Sequence, residues 1–399
     1  MINPLFIPNE YENNLIQIIQ NYYRNEFALF RLTDTMYDKS IIDASQPIRG
    51  LFFENNIFDY YSPQLIRGEI YYLQGFIVSD IINEIKVSAY RPVTKKGDPR
   101  FWLYTLKRHA SINDLIYITI VDSKIVAIPL NDKFDENIIS NFFSQYSTSI
   151  SDDTNIINEL ISKLRDVHKK GFIPSICTTK KNDKDVGETL ELALGLPINN
   201  LVTADYKGEV EIKCKREGSS TDDTLFCKIP DWEISNEKSM RNIVTKYGYP
   251  DRQYDDCTSL FVTITTKPNP QGLFLDFDEE NELLKLYHIN GNDIASWKYS
   301  TLKKSLFEKH PKTAWIVAQE KKIDGAIHFM YKTLQITQNP IFSQFLSLIK
   351  QNIIVFEFRS SYYTSGAEIG KNKRDYGQAF RIDPKHRNQL FGDIQSIEL

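Results

Sequence analysis

Residues Asp185 to Arg216, DVGETLELALGLPINNLVTADYKGEVEIKCKR, decide how the second half of the chain folds. From Val210 to Lys215 apolar and charged residues alternate, and this period of two places the apolar side chains on one face of a β-strand. Glu211 and Lys213 therefore share the opposite face, roughly 6.5 Å apart along the strand. At that distance the carboxylate can hold a divalent cation while the ammonium group contacts the water or phosphate on that cation.

The residues before this strand predict two further carboxylates at the same place. Asp205 ends a short apolar piece, and Gly208 can turn the chain back as a hairpin. We therefore expect Asp205 to lie beside Glu211. Upstream, residues 188–196 have the apolar spacing of a helix, and Glu191 on this helix can reach the same site.

The acid-x-lysine pattern alone is weak, because it also occurs at Glu84, Asp122 and Glu320. Alternating charges usually mark the solvated face of a strand. The stretch quoted above differs in combining this pattern with an acid that ends the preceding strand and an acid on a helix. This combination predicts a nuclease active site. Its catalytic residues are predicted to be Glu191, Asp205, Glu211 and Lys213.

GETLELALGL followed by ADYKGEVEIKCKR resembles the MvaI/BcnI restriction endonucleases and their mismatch-repair relative MutH. These proteins share a PD-(D/E)xK core with a helix glutamate, an aspartate and then glutamate-x-lysine, and the four residues just given hold the matching positions. The resemblance continues through TTKPNPQGLFLDFD and RDYGQAFRI and covers roughly residues 155–399. It implies an α/β (α+β) fold with a restriction-endonuclease-like catalytic domain that hydrolyses phosphodiester bonds in double-stranded DNA.

The predicted cofactor is Mg²⁺. Asp205 and Glu211 supply hard oxygen ligands, and the main-chain carbonyl of Ile212 adds a third, which suits an ion that binds through few protein ligands. In this reading Lys213 orients the nucleophilic water or helps to deprotonate it. Glu191 holds a second ion or the water on that ion.

The segment RDYGQAFR lies where the family carries its base-reading residues, commonly His-Asp-His before GTxFR. Arg374 and Tyr376 stand in place of the histidines, so the contacts of the family do not carry over unchanged. Arg381 keeps a guanidinium group suited to bidentate pairing with guanine. The alternative is a surface loop with solvated arginines. The predicted DNA contacts are Arg374, Asp375, Tyr376 and Arg381.

The N-terminal part, residues 1–148, has the β-branched and aromatic runs of a mostly β domain. Its segment FRLTDTMYDKS resembles the B3-like DNA-binding domain of EcoRII, a pseudobarrel. Joined to a catalytic domain at 149–399, this domain would give the arrangement of the monomeric type IIE enzyme UbaLAI. Basic residues mixed with aromatic ones between 91 and 109 suit contact with a DNA backbone, and a solvated rim of the sheet is the alternative. The residues chosen are Arg91, Lys95, Lys96 and Arg100.

The composition fits a folded protein of two domains. The chain has 399 residues, 41% of them hydrophobic and 13% aromatic, which is enough for more than one core. A net charge of -4 argues against a protein that coats nucleic acid, but it permits an enzyme with local basic surfaces. The four cysteines form no C-x-x-C pair and the six histidines no H-E-x-x-H motif, so neither a disulfide framework nor a zinc site is signalled. The start of the chain has no targeting pattern and no stretch has the apolar length of a membrane span, so we expect a cytoplasmic protein.

The sequence therefore predicts a type II restriction endonuclease, with type IIE behaviour left open. The resemblance implies a recognition site of the CCNGG kind and a monomeric state. The expected partner is double-stranded DNA, and a second, effector duplex is an option. Two alternatives remain at this point. One is a MutH-like nicking repair endonuclease, and the other is a sequence-specific DNA-binding protein without catalytic activity.

Overall fold

The computed structural model describes residues 7–94, 97–146, 154–177, 182, 184–196, 204–392 and 394–399. The helices are Glu10–Tyr22 (α1), Asp34–Lys39 (α2), Gln46–Glu54 (α3), Glu136–Ser144 (α4), Thr154–Lys169 (α5), Asp185–Ala193 (α6), Met240–Tyr247 (α7), Tyr299–Lys309 (α8), Phe342–Lys350 (α9) and Arg387–Phe391 (α10). No helix in this part of the chain is long and apolar enough to cross a membrane.

The strands are spread over the same part of the chain. They are Phe27–Arg31 (β1), Ile42–Asp43 (β2), Tyr71–Val78 (β3), Ile82–Tyr90 (β4), Arg100–Leu103 (β5), Leu115–Val121 (β6), Lys124–Pro129 (β7), Ile173–Pro174 (β8), Val210–Arg216 (β9), Asp223–Cys227 (β10), Tyr249–Pro250 (β11), Cys257–Ile264 (β12), Leu273–Asp278 (β13), Leu283–His288 (β14), Asp293–Lys298 (β15), Lys312–Ile323 (β16), Ala326–Gln338 (β17), Ile354–Tyr363 (β18), Asn372–Asp375 (β19), Ala379–Ile382 (β20) and Gln395–Glu398 (β21). The mixed α/β class predicted from the sequence is confirmed.

The chain divides into two compact units, each assembled from separate segments. Unit 1 contains Met1–Thr148, Ile229–Ser300 and Ile341–Gly377, and unit 2 contains Ser149–Lys228, Thr301–Pro340 and Gln378–Leu399. The division into domains 1–148 and 149–399 stays a prediction.

The N-terminal part of unit 1 is a sheet with the strand order β1-β6-β7-β3-β4-β5-β2. Strands β3 and β7 run parallel, and the other neighbours run antiparallel. Apolar residues of α1 and α4 cover one face around Tyr117, and those of α3 cover the other face around Ile118. Because both faces are covered there, every residue of β6, an inner strand next to β1, is buried. The prediction of a mostly β N-terminal region is confirmed.

The rest of unit 1 contains two smaller groups of strands. Strand β12 pairs with β11 and β18, and β18 also pairs with β19. Strands β13, β14 and β15 form an antiparallel meander. The Glu26 carboxylate accepts hydrogen bonds from the amides of Phe342 and Ser343, at 3.0 Å each. A carboxylate is stabilising there because the first amides of a helix lack partners within the helix, so Glu26 fixes the start of α9.

Unit 2 is built on the strand order β21-β17-β16-β9, with β8 on the side of β17. Strands β16 and β9 are parallel, and the remaining pairs are antiparallel. Leu160, Leu164 and Val167 of α5 share a core with apolar residues of α6, β9, β16 and β17. This packing explains why the alternation in β9 is strict: Val210 and Ile212 must face the helices, so Glu211 and Lys213 face away.

One prediction from the sequence is wrong. The pattern after the apolar run at residues 353–359 predicts a long polar loop over residues 360–378, yet β18 extends to Tyr363 and β19 pairs with it. Ser360 and Ser361 are fully buried in this pair. The Ser360 hydroxyl donates to Asp375 at 3.0 Å, so its hydrogen bond is satisfied within the sheet.

Candidate active site

A tight turn brings Asp205 beside β9. Lys207 and Gly208 have φ of 55° and 74°, the left-handed values that a two-residue hairpin turn requires. The Tyr206 amide donates to the Val210 carbonyl at 2.8 Å and closes the turn. The described part of the predicted hairpin, residues 204–210, therefore folds back as expected, while residues 197–203 lie outside the described residues.

Glu211 and Lys213 form an ion pair on the face of β9 opposite the helices. The Lys213 Nζ atom lies 2.5 Å from Glu211 Oε1, and the Glu211 side chain is only 1% exposed. The Ile212 amide donates to Asp205 Oδ2 at 3.0 Å. Two carboxylates and one ammonium group thus meet at the start of the strand, where the alternation placed them.

Lys309, which the sequence analysis did not identify, completes this group. It is the last residue of α8, and its Nζ lies 2.9 Å from Glu211 Oε2 and 3.5 Å from Asp205 Oδ1. The sequence predicts a helix over residues 300–309, and α8 spans Tyr299–Lys309. No spacing rule connects its last residue to acids that precede it by about a hundred positions, so only the folded chain reveals the contact.

The acids of the site repel one another. Burial, followed by repulsion from Glu211, raises the pKa of Asp205. Burial raises the pKa of Glu191 on α6 to about 7, and Asp205, Glu188 and Glu211 add to the shift. Burial acts to lower the pKa of Lys213, but attraction to Glu211 outweighs it, so the pKa of Lys213 lies above its usual value. The site therefore combines crowded carboxylates with a lysine that stays protonated at neutral pH.

A buried histidine fixes the chain directly after Lys309. The His310 ring donates to the Leu225 carbonyl at 2.7 Å and accepts from the Thr313 hydroxyl at 2.8 Å. Burial, followed by the charge of Lys213, lowers the pKa of His310 to about 3, so this ring is neutral at physiological pH. Thr313 stands opposite Glu211 in the pairing of β16 with β9. These contacts hold the end of α8 next to β9, the strand that carries Glu211 and Lys213.

The donor set fits a divalent cation. Asp205 and Glu211 approach the same ammonium group, so their oxygens converge on a position that suits positive charge, and carboxylate oxygens are the ligands that Mg²⁺ prefers. Within the described residues no three His, Cys, Asp or Glu side chains form a cluster of their own that could hold a metal. The expected set of ligands, two carboxylates and the Ile212 carbonyl, does not require a cluster of three such side chains.

The predicted base-reading residues fall in both units. In unit 1, Arg374 forms an ion pair with Asp251, and its guanidinium lies 5.0 Å from the centre of the Phe261 ring. Asp375 accepts from the Gly377 amide at 3.0 Å. Tyr376 is 58% exposed. In unit 2, Arg381 donates to the carbonyl of Asp222. Arg374 is thus held by a buried acid, whereas the Tyr376 side chain is open to solvent.

The basic residues expected at the N-terminal region are also engaged. Arg91 donates to the Gly97 carbonyl at 2.7 Å, and its guanidinium lies 4.9 Å from the centre of the Tyr61 ring. Arg100 pairs with Asp43 at 3.4 Å. Lys95 and Lys96 lie outside the described residues.

An exposed face that the sequence did not indicate lies on β3 and β4 and just beyond the end of β5. Tyr72 and Tyr104 are 55% and 41% exposed, and their ring centres are 6.4 Å apart. The Lys86 ammonium lies 4.6 Å from the centre of the Tyr72 ring. We call these three residues the Tyr72 face. The strand pairing brings them together from positions 72, 86 and 104, so no single segment carries the pattern.

The fold of unit 2 and its charged centre define the class of a DNA-cleaving nuclease. The model of the MvaI/BcnI restriction endonuclease family matches residues 161–391, and the chain belongs to this family. The predictions of a restriction endonuclease and of DNA as its substrate are thereby confirmed.

A solved structure shows the same fold. The complex of restriction endonuclease MvaI with its cognate DNA substrate is similar with a TM-score of 0.51 and 21% identity, over 63% of this chain and 99% of that chain. Restriction endonuclease MvaI in the absence of DNA gives a TM-score of 0.38 and 20% identity, over 63% of this chain and 100% of that chain. No curated protein sequence matches the chain. The restriction-endonuclease-like fold predicted for the C-terminal region is confirmed.

Proposed function

We propose that this restriction endonuclease is a type II enzyme that cuts both strands of duplex DNA at a short site of the CCNGG kind and depends on Mg²⁺. The observation that carries the proposal is the group formed by Asp205, Glu211, Lys213 and Lys309 at the edge of β9. Hydrolysis of a phosphodiester needs a positioned water and compensation of the phosphate charge, and this group offers both anchoring acids and fixed cations.

Asp205 and Glu211, with the carbonyl of Ile212, would hold the ion. When bound, Mg²⁺ supplies charge neutralisation at the phosphate and a more acidic water. These carboxylates are already fixed by contacts with the Ile212 amide and with two lysines. The chain therefore contributes a preformed set of ligands.

Lys213 and Glu191 have separate roles in this proposal. Lys213 is held protonated by Glu211, so it donates to the attacking water or to a phosphate oxygen and orients either one. Glu191, with a pKa of about 7, is matched to take up a proton near neutral pH. Strand β9 fixes the position of Lys213, and helix α6 fixes the position of Glu191.

Contact with the recognition site is assigned to the segment that carries Arg374, Asp375, Tyr376 and Arg381. Arg381 is the guanine reader in this proposal, since arginine pairs with the O6 and N7 atoms of guanine in the major groove. Tyr376 is available for contact because of its exposure. Arg374 acts as support, because its charge is already compensated by Asp251.

The N-terminal region is proposed to bind a second, effector duplex, which would make the enzyme type IIE. The support is the Tyr72 face, where exposed aromatic rings lie beside a lysine, a composition suited to phosphate and sugar contacts. Arg91, Lys95, Lys96 and Arg100 remain proposed contacts of the same kind. We also propose that the enzyme is a monomer and that it acts in the cytoplasm. Its four free cysteines agree with a reducing compartment.

Digestion of a plasmid library tests the proposal. The full chain is incubated with random-sequence plasmids and Mg²⁺, and the new ends are sequenced. We expect linear products whose ends share a CCNGG-type site, and no products when EDTA replaces the metal. Nicked circles without linear products would favour a MutH-like nicking enzyme. Ends without a common sequence would contradict the proposed specificity.

A further inference from the structure

Lys309 occupies the position of a cation between the two acids that are proposed to bind metal. Its ammonium group contacts Glu211 Oε2 at 2.9 Å and Asp205 Oδ1 at 3.5 Å, so one positive charge touches both carboxylates. Lys213 pairs with the other oxygen of Glu211, Oε1. Lys309 therefore bridges the two acids, whereas the ion pair of Lys213 is with Glu211.

The approach of Lys309 is built into the fold. Its side chain is 17% exposed, and the next residue, His310, is completely buried and bonded at both ring nitrogens. The partners of His310 are Leu225 and Thr313, and Thr313 stands opposite Glu211 on the neighbouring strand. This network fixes the main chain at the end of α8. The Cα atom of Lys309 therefore stays beside the site when its side chain moves.

We propose that Lys309 is the resident counter-cation of the Asp205–Glu211 pair, which holds the two acids together before the divalent ion binds and gives way to it. The inference rests on the proposed metal ligands. It adds a residue that positions these ligands and competes with the metal. Once displaced, the ammonium group remains beside the ion, where the phosphate of a bound DNA strand brings negative charge.

The physical reason is charge balance. Two close carboxylates repel each other, and Asp205 and Glu211 lie close enough to contact the same ammonium group. A lysine between them relieves the repulsion without metal, but it also opposes the arrival of a second cation at the same oxygens. Removing the lysine should therefore make the metal-free protein less stable and make the metal bind more tightly.

Metal binding to the full chain without DNA tests the inference. Mn²⁺ is titrated into the protein and the free ion is followed by its EPR signal. We expect Lys309→Gln to bind Mn²⁺ about tenfold more tightly than the unmodified chain, and Lys309→Arg to bind like the unmodified chain. Lys304→Gln is the matched control, since Lys304 lies on the same helix, is 73% exposed and pairs only loosely with Glu308 at 3.7 Å.

Thermal unfolding distinguishes the counter-cation role of Lys309 from a purely structural role. Lys309→Gln should melt at a lower temperature than the unmodified chain in EDTA, and the deficit should disappear when Mn²⁺ is saturating. An equal deficit with and without Mn²⁺, or an affinity for Mn²⁺ that is unchanged or weaker, would overturn the inference.

Amine labelling of the unmodified chain keeps the test decisive should Lys309→Gln not fold. Lys309 should react slowly with an acylating reagent in EDTA and faster with Mn²⁺, as read by mass spectrometry, while Lys304 reacts equally in both. Unchanged labelling of Lys309 in a chain that binds Mn²⁺ would contradict the counter-cation role alone. Absence of Mn²⁺ binding in the unmodified chain and in Lys309→Gln would contradict the metal site itself and this inference with it.

Discussion

The main-chain amide of Ile212 donates a hydrogen bond to the Asp205 carboxylate over 3.0 Å. This bond ties the acid of the turn to the strand that carries the other candidate residues, so the carboxylate is oriented before any ligand arrives. A group that is already ordered loses little freedom on binding. The turn and the strand therefore act as one rigid element, and single substitutions within it should separate chemistry from DNA binding.

Asp205→Ala and Lys213→Ala should each lower the rate of DNA cleavage by at least about 100-fold and leave specific DNA binding nearly unchanged. In the proposed function Asp205 anchors the metal and Lys213 orients the nucleophile or the phosphate, and neither reads a base. Cleavage is measured in Mg²⁺ and binding in Ca²⁺ by gel shift.

Glu84→Ala is the control for this pair, because Glu84 heads the same acid-x-lysine pattern on β4. It is 65% exposed and pairs with Lys124 at 3.7 Å, so its loss should not alter cleavage. Normal cleavage by Asp205→Ala, or a folded but inactive Glu84→Ala, would refute the site assignment.

Glu191→Gln should raise the free energy of unfolding of the metal-free protein at pH 8 but hardly at pH 5. The pKa of Glu191 rises on folding to about 7, so the native state holds the proton more tightly than the unfolded state. Stability is therefore lost as pH increases through this range, and the glutamine removes that loss. We expect a gain of about 1–2 kcal/mol at pH 8, measured by urea unfolding in EDTA. A gain of equal size at both pH values would contradict the assignment.

Arg374→Ala should act on stability more than on specificity. Its partner Asp251 is only 3% exposed, and the substitution leaves that carboxylate with the hydroxyl of Ser259. We expect a loss of about 1–3 kcal/mol at pH 7, measured by urea unfolding. The Ser259 hydrogen bond, with help from Arg374, lowers the pKa of Asp251, so the stability that this acid contributes is present at neutral pH and lost in acid. The effect of Arg374→Ala should accordingly shrink as the pH falls below 4. A variant of normal stability with altered site preference would instead make Arg374 a base reader.

Arg381→Ala should relax the preference for one guanine by about 1–3 kcal/mol. Arg381 is the proposed guanine reader, because arginine pairs with the O6 and N7 atoms of guanine. Competition cleavage across a library of single-base variants of the site measures the effect. Lys385→Ala serves as the control, since Lys385 is 72% exposed and pairs with Asp383. If Arg381→Ala kept the same preference for that guanine as Lys385→Ala, Arg381 would be excluded as the guanine reader.

Tyr72→Ala combined with Lys86→Ala should abolish activation by a second DNA site and leave the rate on single-site DNA unchanged. The unmodified enzyme should cut a two-site plasmid faster than a one-site plasmid, and a short cognate duplex should restore the rate on the latter. Tyr11→Ala, which truncates another exposed aromatic side chain, is the control. Equal rates of the unmodified enzyme on both plasmids would remove the effector role.

The local features of the site could be predicted from the sequence, because they depend on neighbours along the chain. The alternation in β9 and the turn at Gly208 follow from period and backbone freedom. Lys309 and Thr313 could not be found this way, since the parallel pairing of β16 with β9 brings them in from about a hundred residues downstream. The error at Ser360 has a related cause: hydrogen bonds to a partner strand let a hydroxyl be buried, and the sequence does not reveal that partner.

Strand β9 lies at one end of a sheet in which β16, β17 and β21 follow much later in the chain. On the ribosome, residues 191–213 emerge long before those strands exist. A parallel strand has no stable pairing without its crossover and neighbours, so an unfinished chain carries every candidate acid without an assembled centre. The candidate site is therefore assembled only after the strands from residue 312 onward have been made.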